Sequence, residues 1–172
     1  MHPAMSLILI FALSLACSKK SSDKASPGAS MSAQISDDPV FCSEYTQTQV
    51  HQAKEGFTSS AAQAFQAKVD WSSPLIAGEL NNGATLSFLS SNGKPAPLAL
   101  NSFKLFMPAM GHGSIKADKM LFTQQADAKN IWSVSQIYFS MGGAAGEWLV
   151  EIEASACGIS DKARVIIEQE VQ

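Results

Sequence analysis

The sequence predicts an all-β fold, an immunoglobulin-like antiparallel β-sandwich occupying residues 67–172. Three observations predict it. Apolar residues alternate with polar ones in six separate short segments, the mark of strands with one buried face. Clusters of turn-forming residues separate several of them, as in a sandwich of short strands. No βαβ alternation, glycine-rich phosphate loop or internal repeat interrupts the pattern.

Taken in order, Ala67, Val69 and Trp71 alternate with Lys68 and Asp70, and Ala84, Leu86 and Phe88 with Thr85 and Ser87. Phe103 and Leu105 alternate with Ser102, Lys104 and Phe106. Trp132, Val134 and Gln136 alternate with Ser133 and Ser135. Trp148, Val150 and Ile152 alternate with Leu149, Glu151 and Glu153, which puts the two carboxylates on an exposed strand face rather than in a catalytic pair. Ala163, Val165 and Ile167 complete the set. Turns are expected at Asn81-Asn82-Gly83, Ser91-Asn92-Gly93-Lys94-Pro95, Asp127-Ala128-Lys129-Asn130 and Cys157-Gly158-Ile159-Ser160-Asp161, where Gly, Asn, Asp and Pro supply the required dihedrals. Residues 41–66 have no clear period. Their aromatic residues are irregularly spaced and Ser59 to Phe65 is alanine-rich, so a short helix and a wandering cover segment both fit.

Composition bounds the function. The chain has 172 residues, 46% hydrophobic and 16% charged, with a net charge of −3. That is enough apolar material for one core, and the scattered lysines form no basic face of the kind nucleic-acid binding needs. No apolar run reaches the roughly 18 residues of a spanning helix. Ser6 to Ala16 (SLILIFALSLA) instead has the length of a leader's apolar region, and it ends at Ala16-Cys17. The stretch LSLAC resembles a bacterial lipobox, in which the cysteine is acylated and becomes the first residue. Residues 1–16 are therefore expected to be a lipoprotein signal peptide and Cys17 the lipidated residue, with an ordinary cleaved leader as the plainer alternative. Residues 17–40 are rich in Ser, Lys, Asp, Ala, Gly and Pro and read as a flexible tether. Such a protein would sit at the cell membrane or outer membrane, lipid-anchored and facing the periplasm or exterior.

Cys42 and Cys157 remain after processing. Two thiols in an oxidising compartment are expected to pair, with two free thiols, one of them a metal ligand, as the alternative.

The densest unusual stretch is Phe106-Met107-Pro108-Ala109-Met110-Gly111-His112-Gly113. It places two thioethers and an imidazole within six positions on a bend. Thioethers are soft ligands that select Cu(I), and imidazole suits either copper state. Met141, at the end of the strand preceding Gly142-Gly143, is a fourth candidate. Packing alone is the competing reading, because methionine fills irregular gaps in cores. The order Asn92-Gly93-Lys94-Pro95, then Met107-Pro108-Ala109-Met110-Gly111-His112-Gly113, then Met141-Gly142-Gly143 to Trp148 resembles the YtkA-like domain family, which is related to the FixH-like proteins. The resemblance covers residues 67–171. It implies an immunoglobulin-like fold, an extracytoplasmic location and a connection to copper. The departure is Met141-Gly142-Gly143, where that family has Met-Pro-Gly.

Two functions from different classes follow as expectations. One is a copper-binding or copper-handling lipoprotein using Met107, Met110, His112 and Met141. The other is a metal-free binding or assembly module for an envelope protein. No Ser-His-Asp order or acidic pair points to an enzyme. His51 has no partner near it in sequence.

Overall fold

The structure is a computed structural model, and it describes residues 39–46, 52–142 and 147–172. The expected leader, the tether through residue 38 including Cys17, and His51 lie outside the described residues.

Inner-face alternation produces the expected strands. They form two antiparallel sheets, and their facing sides make the core. Helix α1 (Pro39–Tyr45) comes first, followed by β1 (Thr58–Ser59), β2 (Phe65–Trp71), β3 (Asn82–Ser90) and β4 (Ala99–Met107). Then come β5 (His112–Gly113), β6 (Leu121–Gln124), β7 (Ile131–Ile137), β8 (Leu149–Ala156) and β9 (Ile159–Ile166). A five-stranded sheet runs β1-β2-β3-β7-β6, and a four-stranded sheet runs β5-β4-β8-β9. This is the all-β sandwich that the periodicity predicts. Phe88, Leu105, Val150 and Ile152 point inward and are buried, and Trp71 packs partly buried against them. Lys104, Glu151 and Arg164 face out, and Arg164 donates to Glu151 through both Nε and Nη2 at 3.1 and 3.0 Å.

An aromatic chain crosses the space between the sheets. Phe122, Phe103, Trp71, Phe139 and Trp148 follow one another with ring centroids 6.2, 6.3, 5.9 and 5.4 Å apart. Tilted and edge-on contacts of this kind add about 0.5–1.5 kcal/mol each beyond the area they bury. Both buried indoles are satisfied: Trp132 Nε1 donates to Leu98 O and Trp148 Nε1 to Met141 O, each at 3.2 Å.

Three local readings differ from the alternation and turn rules. Gln136 belongs to the expected inner face of β7 but is exposed, and Ile137 takes the inward place. Asn82 pairs with Ile137 while Ala84 pairs with Val134, so Ser135 and Gln136 together face Gly83. This is a β-bulge, and Gln136 adopts φ +57° to make it. Asn82 itself is not a turn residue. It opens β3, buried, with its Oδ1 accepting the Ile76 N–H at 2.7 Å. Its Nδ2 donates to the carbonyls of Ile76, Glu79 and Ile137 at 2.8, 3.1 and 3.1 Å. The turn after β8 is also shorter than the sequence implies. Cys157 and Gly158, at φ +53° and +75°, make it alone, and Ile159 to Asp161 already pair in β9. Left-handed values at both central residues are the geometry of a type I′ hairpin.

The stretch 41–66 divides into a helix and two strand segments. Strand β2 starts at Phe65, and the alanine-rich stretch forms a turn whose backbone docks on β9. Ala61 N–H donates to Lys162 O at 2.7 Å, and Ala62 and Ala64 N–H donate to Asp161 Oδ2 at 2.8 and 3.3 Å. Burial pushes the Asp161 carboxyl up, but hydrogen bonds from Ser60, Lys162, Ala64 and Ala62 outweigh it and hold the group below its ordinary value. This turn joins one edge of the first sheet to the β9 edge of the second.

Helix α1 is held to the sandwich by the Cys42–Cys157 disulfide, with Cα atoms 5.4 Å apart, and by the Lys94–Glu44 ion pair at 2.7 Å. Tyr45, 3% exposed, inserts from α1 into the core. Its hydroxyl has no hydrogen-bond partner among the described residues.

Two expectations follow. The bridge spans 115 residues, and closing a loop of that length is worth up to about 5 kcal/mol by chain entropy, with measured losses of about 2–5 kcal/mol. A Cys42→Ala/Cys157→Ala chain should lose stability in that range in urea unfolding, and an unchanged midpoint would contradict the role given to the bridge. The second concerns Tyr45, whose pKa burial and then the Asp161 carboxylate push up to about 12. The unfolded phenol ionises near 10. Between those values the unfolded state holds fewer protons, so this contribution is complete below pH 10 and falls as pH rises towards 12, by about 2–3 kcal/mol in all. Tyr45→Phe should match or exceed the parent at pH 7, since it removes an unsatisfied buried hydroxyl. The difference in unfolding free energy should widen between pH 9 and 11.5.

Candidate metal centre

Period-two alternation in β4 carries Phe103, Leu105 and Met107 inward, each nearly or wholly buried. Pro108, with no N–H to give, ends the ladder. Pro108–Met110 form one 3₁₀ turn, capped by Gly111 at φ +68°. The Gly111 N–H donates to Met107 O at 3.1 Å. The chain then folds back as β5, with His112 opposite Met107 and Gly113 opposite Phe106. Gly113 is required here, because a Cβ would lie 2.6 Å from Leu105 O. Ser114 next ties the bend to the neighbouring segment, its Oγ donating to Tyr138 O at 2.6 Å. Met141 lies three residues beyond Tyr138 and packs against the core.

The four sequence candidates therefore occupy one end of the sandwich, in unequal surroundings. Met107 has 0% exposure, and its side chain belongs to the core. Met141 is half-buried. Met110, at the tip of the bend, is 49% exposed, and His112 is exposed with Nδ1 3.3 Å from Gly113 O. Met110 and His112 thus offer soft donors to solvent, whereas Met107 has no surface from which to receive an ion. The donor chemistry of the exposed pair fits a soft cation such as Cu(I). Among the described residues, no group of three or more His, Cys, Asp or Glu converges, so a hard-cation or zinc-type cluster is not present there. Cys42 and Cys157, the other soft-ligand candidates, are joined in the disulfide.

Two residues that matter to this end of the molecule carry no signal in a reading for ligands. Asn82 holds the Ile76 strap and the β7 bulge, but Asn-Gly reads as a turn. Trp148 is an expected core residue, yet its N–H also fixes the Met141 carbonyl. The C-terminal Gln172 closes the same end, its N–H donating to Leu75 O at 2.9 Å and its O accepting the Ala77 N–H at 2.7 Å.

Comparison of the chain with protein families, curated proteins and solved structures gives no match. The functional reading therefore rests on the chain's own residues.

The burial difference gives a prediction. Truncating a fully buried Met removes contacts and leaves a cavity, so Met107→Ala should cost about 2–5 kcal/mol. Met110→Ala should stay within about 0.5 kcal/mol of the parent, as surface changes do. Urea unfolding of the two variants checks both, and equal losses would refute this assignment of burial.

Proposed function

We propose that this chain is an exported, lipid-anchored protein of the YtkA-like kind that binds a soft metal ion, Cu(I) by its chemistry, at the β4–β5 bend. The observation that carries the reading is that the bend presents Met110 at its exposed tip and His112, also exposed, two residues further on at the start of β5. Met110 and His112 are the donors that meet an incoming ion. Met141, partly buried at the same end, is a further thioether, and Met107 anchors the bend in the core. The ion itself would be cargo, taken up or passed on, since nothing in the residues around the bend resembles an acid–base or nucleophilic set.

Export is supported by two features of different kinds. Ser6 to Cys17 resembles a lipoprotein leader and its acylation site. The Cys42–Cys157 bridge is the kind of bond that persists outside the cytoplasm. A lipid at Cys17 would make the membrane the protein's first partner. About 0.8 kcal/mol per buried methylene, from more than one acyl chain, gives a stable anchor.

The test is a Cu(I) titration of the purified chain under anaerobic conditions, with ascorbate as reductant and a competing chromophoric chelator. The disulfide resists ascorbate and remains in place. The parent should take up about one equivalent, and Met110→Leu/His112→Ala, which removes both exposed donors, should weaken uptake by about ten-fold or more, at least about 1.4 kcal/mol in binding free energy. Met107→Leu, which conserves volume, separates ligation from packing. If the double variant binds Cu(I) as well as the parent, this bend is not a copper site.

A further inference from the structure

The outer face of the four-stranded sheet is not uniformly polar. Its side chains fall into cross-strand rows set by the register. Ser102, Glu153 and Lys162 form one row, and Lys104, Glu151 and Arg164 the next. At the end nearest the bend, Phe106, Leu149 and Ile166 form a third row that is wholly apolar. Phe106 is 37% exposed and Ile166 55%, where a solvated sheet face would carry polar residues. Beside this row is a half-open groove of about 640 Å³, walled by Phe106, Pro108, Ala117 and Leu149, with Lys104, Glu151 and Arg164 as its charged lining. Gly113, opposite Phe106, contributes no side chain to fill it.

The charges at the rim do not balance. Arg164 is engaged with Glu151 at 3.0 Å, and Lys162 approaches Glu151 and Glu153 at 3.9 and 3.5 Å. Lys104 sits opposite Glu151 in the ladder, but it forms no ion pair or hydrogen bond among the described residues. Of the three charged groups lining the groove, Arg164 and Glu151 are paired with each other, and the Lys104 ammonium is the surplus. An apolar trough with a few polar groups at one side is the usual form of a small-ligand site, and its volume falls in the usual range of about 300–1,000 Å³.

We infer that this groove binds an anionic amphiphile, an acyl chain with a single acidic head, its tail along Phe106, Pro108, Ala117 and Leu149 and its head on Lys104. Each methylene taken from water contributes about 0.8 kcal/mol, and the head neutralises Lys104, which has no ion-pair partner among the described residues. A cationic amphiphile of equal length would meet the unpaired Lys104 ammonium and bind more weakly. The site is separate from the metal reading, because it uses the outer side of β4 whereas Met107 points inward.

Decanoate is the probe, with decyltrimethylammonium as the tail-matched cation, each titrated into the purified chain and followed by calorimetry and methyl NMR. Decanoate should bind saturably at one equivalent and shift the Leu149 and Ala117 methyl signals. Lys104→Glu should weaken it by about ten-fold or more, as loss and reversal of a charge-assisted contact would, and should improve binding of the cation. Phe106→Ser should also weaken decanoate by about ten-fold, from the lost apolar wall. Both side chains reach solvent, and circular dichroism of each variant confirms its fold. His112→Ala should leave decanoate binding unchanged. Equal binding of the two amphiphiles, or parent-like affinity in Lys104→Glu, would overturn the proposal. So would retention on phosphatidylglycerol vesicles without any response to soluble decanoate, since the face would then read a bilayer surface rather than hold one acyl chain.

Discussion

The packing of Phe122, Phe103, Trp71, Phe139 and Trp148 into one continuous chain of rings is the constraint on which the rest of the molecule depends. Its members come from β6, β4, β2, the segment after β7 and the residue just before β8, so both sheets are committed to it. Large rings in edge-on contact tolerate little displacement, because interiors are packed to crystal-like density. The last ring in the chain, Trp148, also donates to the Met141 carbonyl. The core therefore sets where the Met141 segment lies, and through the Ser114–Tyr138 hydrogen bond it sets where the β4–β5 bend lies as well.

Most of the fold was legible because burial on one face imposes a period of two, and that period is visible in residue types. It failed at Gln136, where a bulge shifts the phase by one residue and hands the inward place to Ile137. Nothing in the run Trp132 to Ile137 marks the bulge, since its cause lies across the ladder at Asn82 and Gly83. Asn82 was misread for a related reason. Asn-Gly is a strong local turn signal, and only the carbonyls of Ile76, Glu79 and Ile137, gathered by tertiary structure, make a buried amide the better use of the residue. The stretch 41–66 was opaque because it is held by a disulfide, by hydrogen bonds to Asp161 and by a single inserted tyrosine. None of these produces a periodic pattern. The pairing of Cys42 with Cys157, by contrast, followed from counting.

For the candidate metal centre, the sequence grouped Met107, Met110, His112 and Met141, and the fold brings all four to one end. Their unequal burial could not be read from spacing, although its cause is simple. The inward phase of β4 persists through Met107 and stops only at Pro108, so the first methionine is spent on the core while the second rides out on the 3₁₀ turn. Two members of the outer row, Phe106 and Leu149, fall on the outward phase of their strands in the sequence; Ile166 was not singled out. What the sequence lacked was the register that sets the three side by side.

The Cys157–Gly158 hairpin, where α1 is fastened, and the β4–β5 bend occupy opposite poles of the four-stranded sheet. Phe106 pairs with Leu149 at one end of β8 and Ala99 with Ser155 at the other. The eight residues of β8 separate them, roughly 25 Å at about 3.3 Å per residue. The described chain therefore begins, at α1, on the pole away from the bend. Residues fastened through the Cys42–Cys157 bridge and residues at the methionine-bearing tip thus serve opposite poles of one sheet.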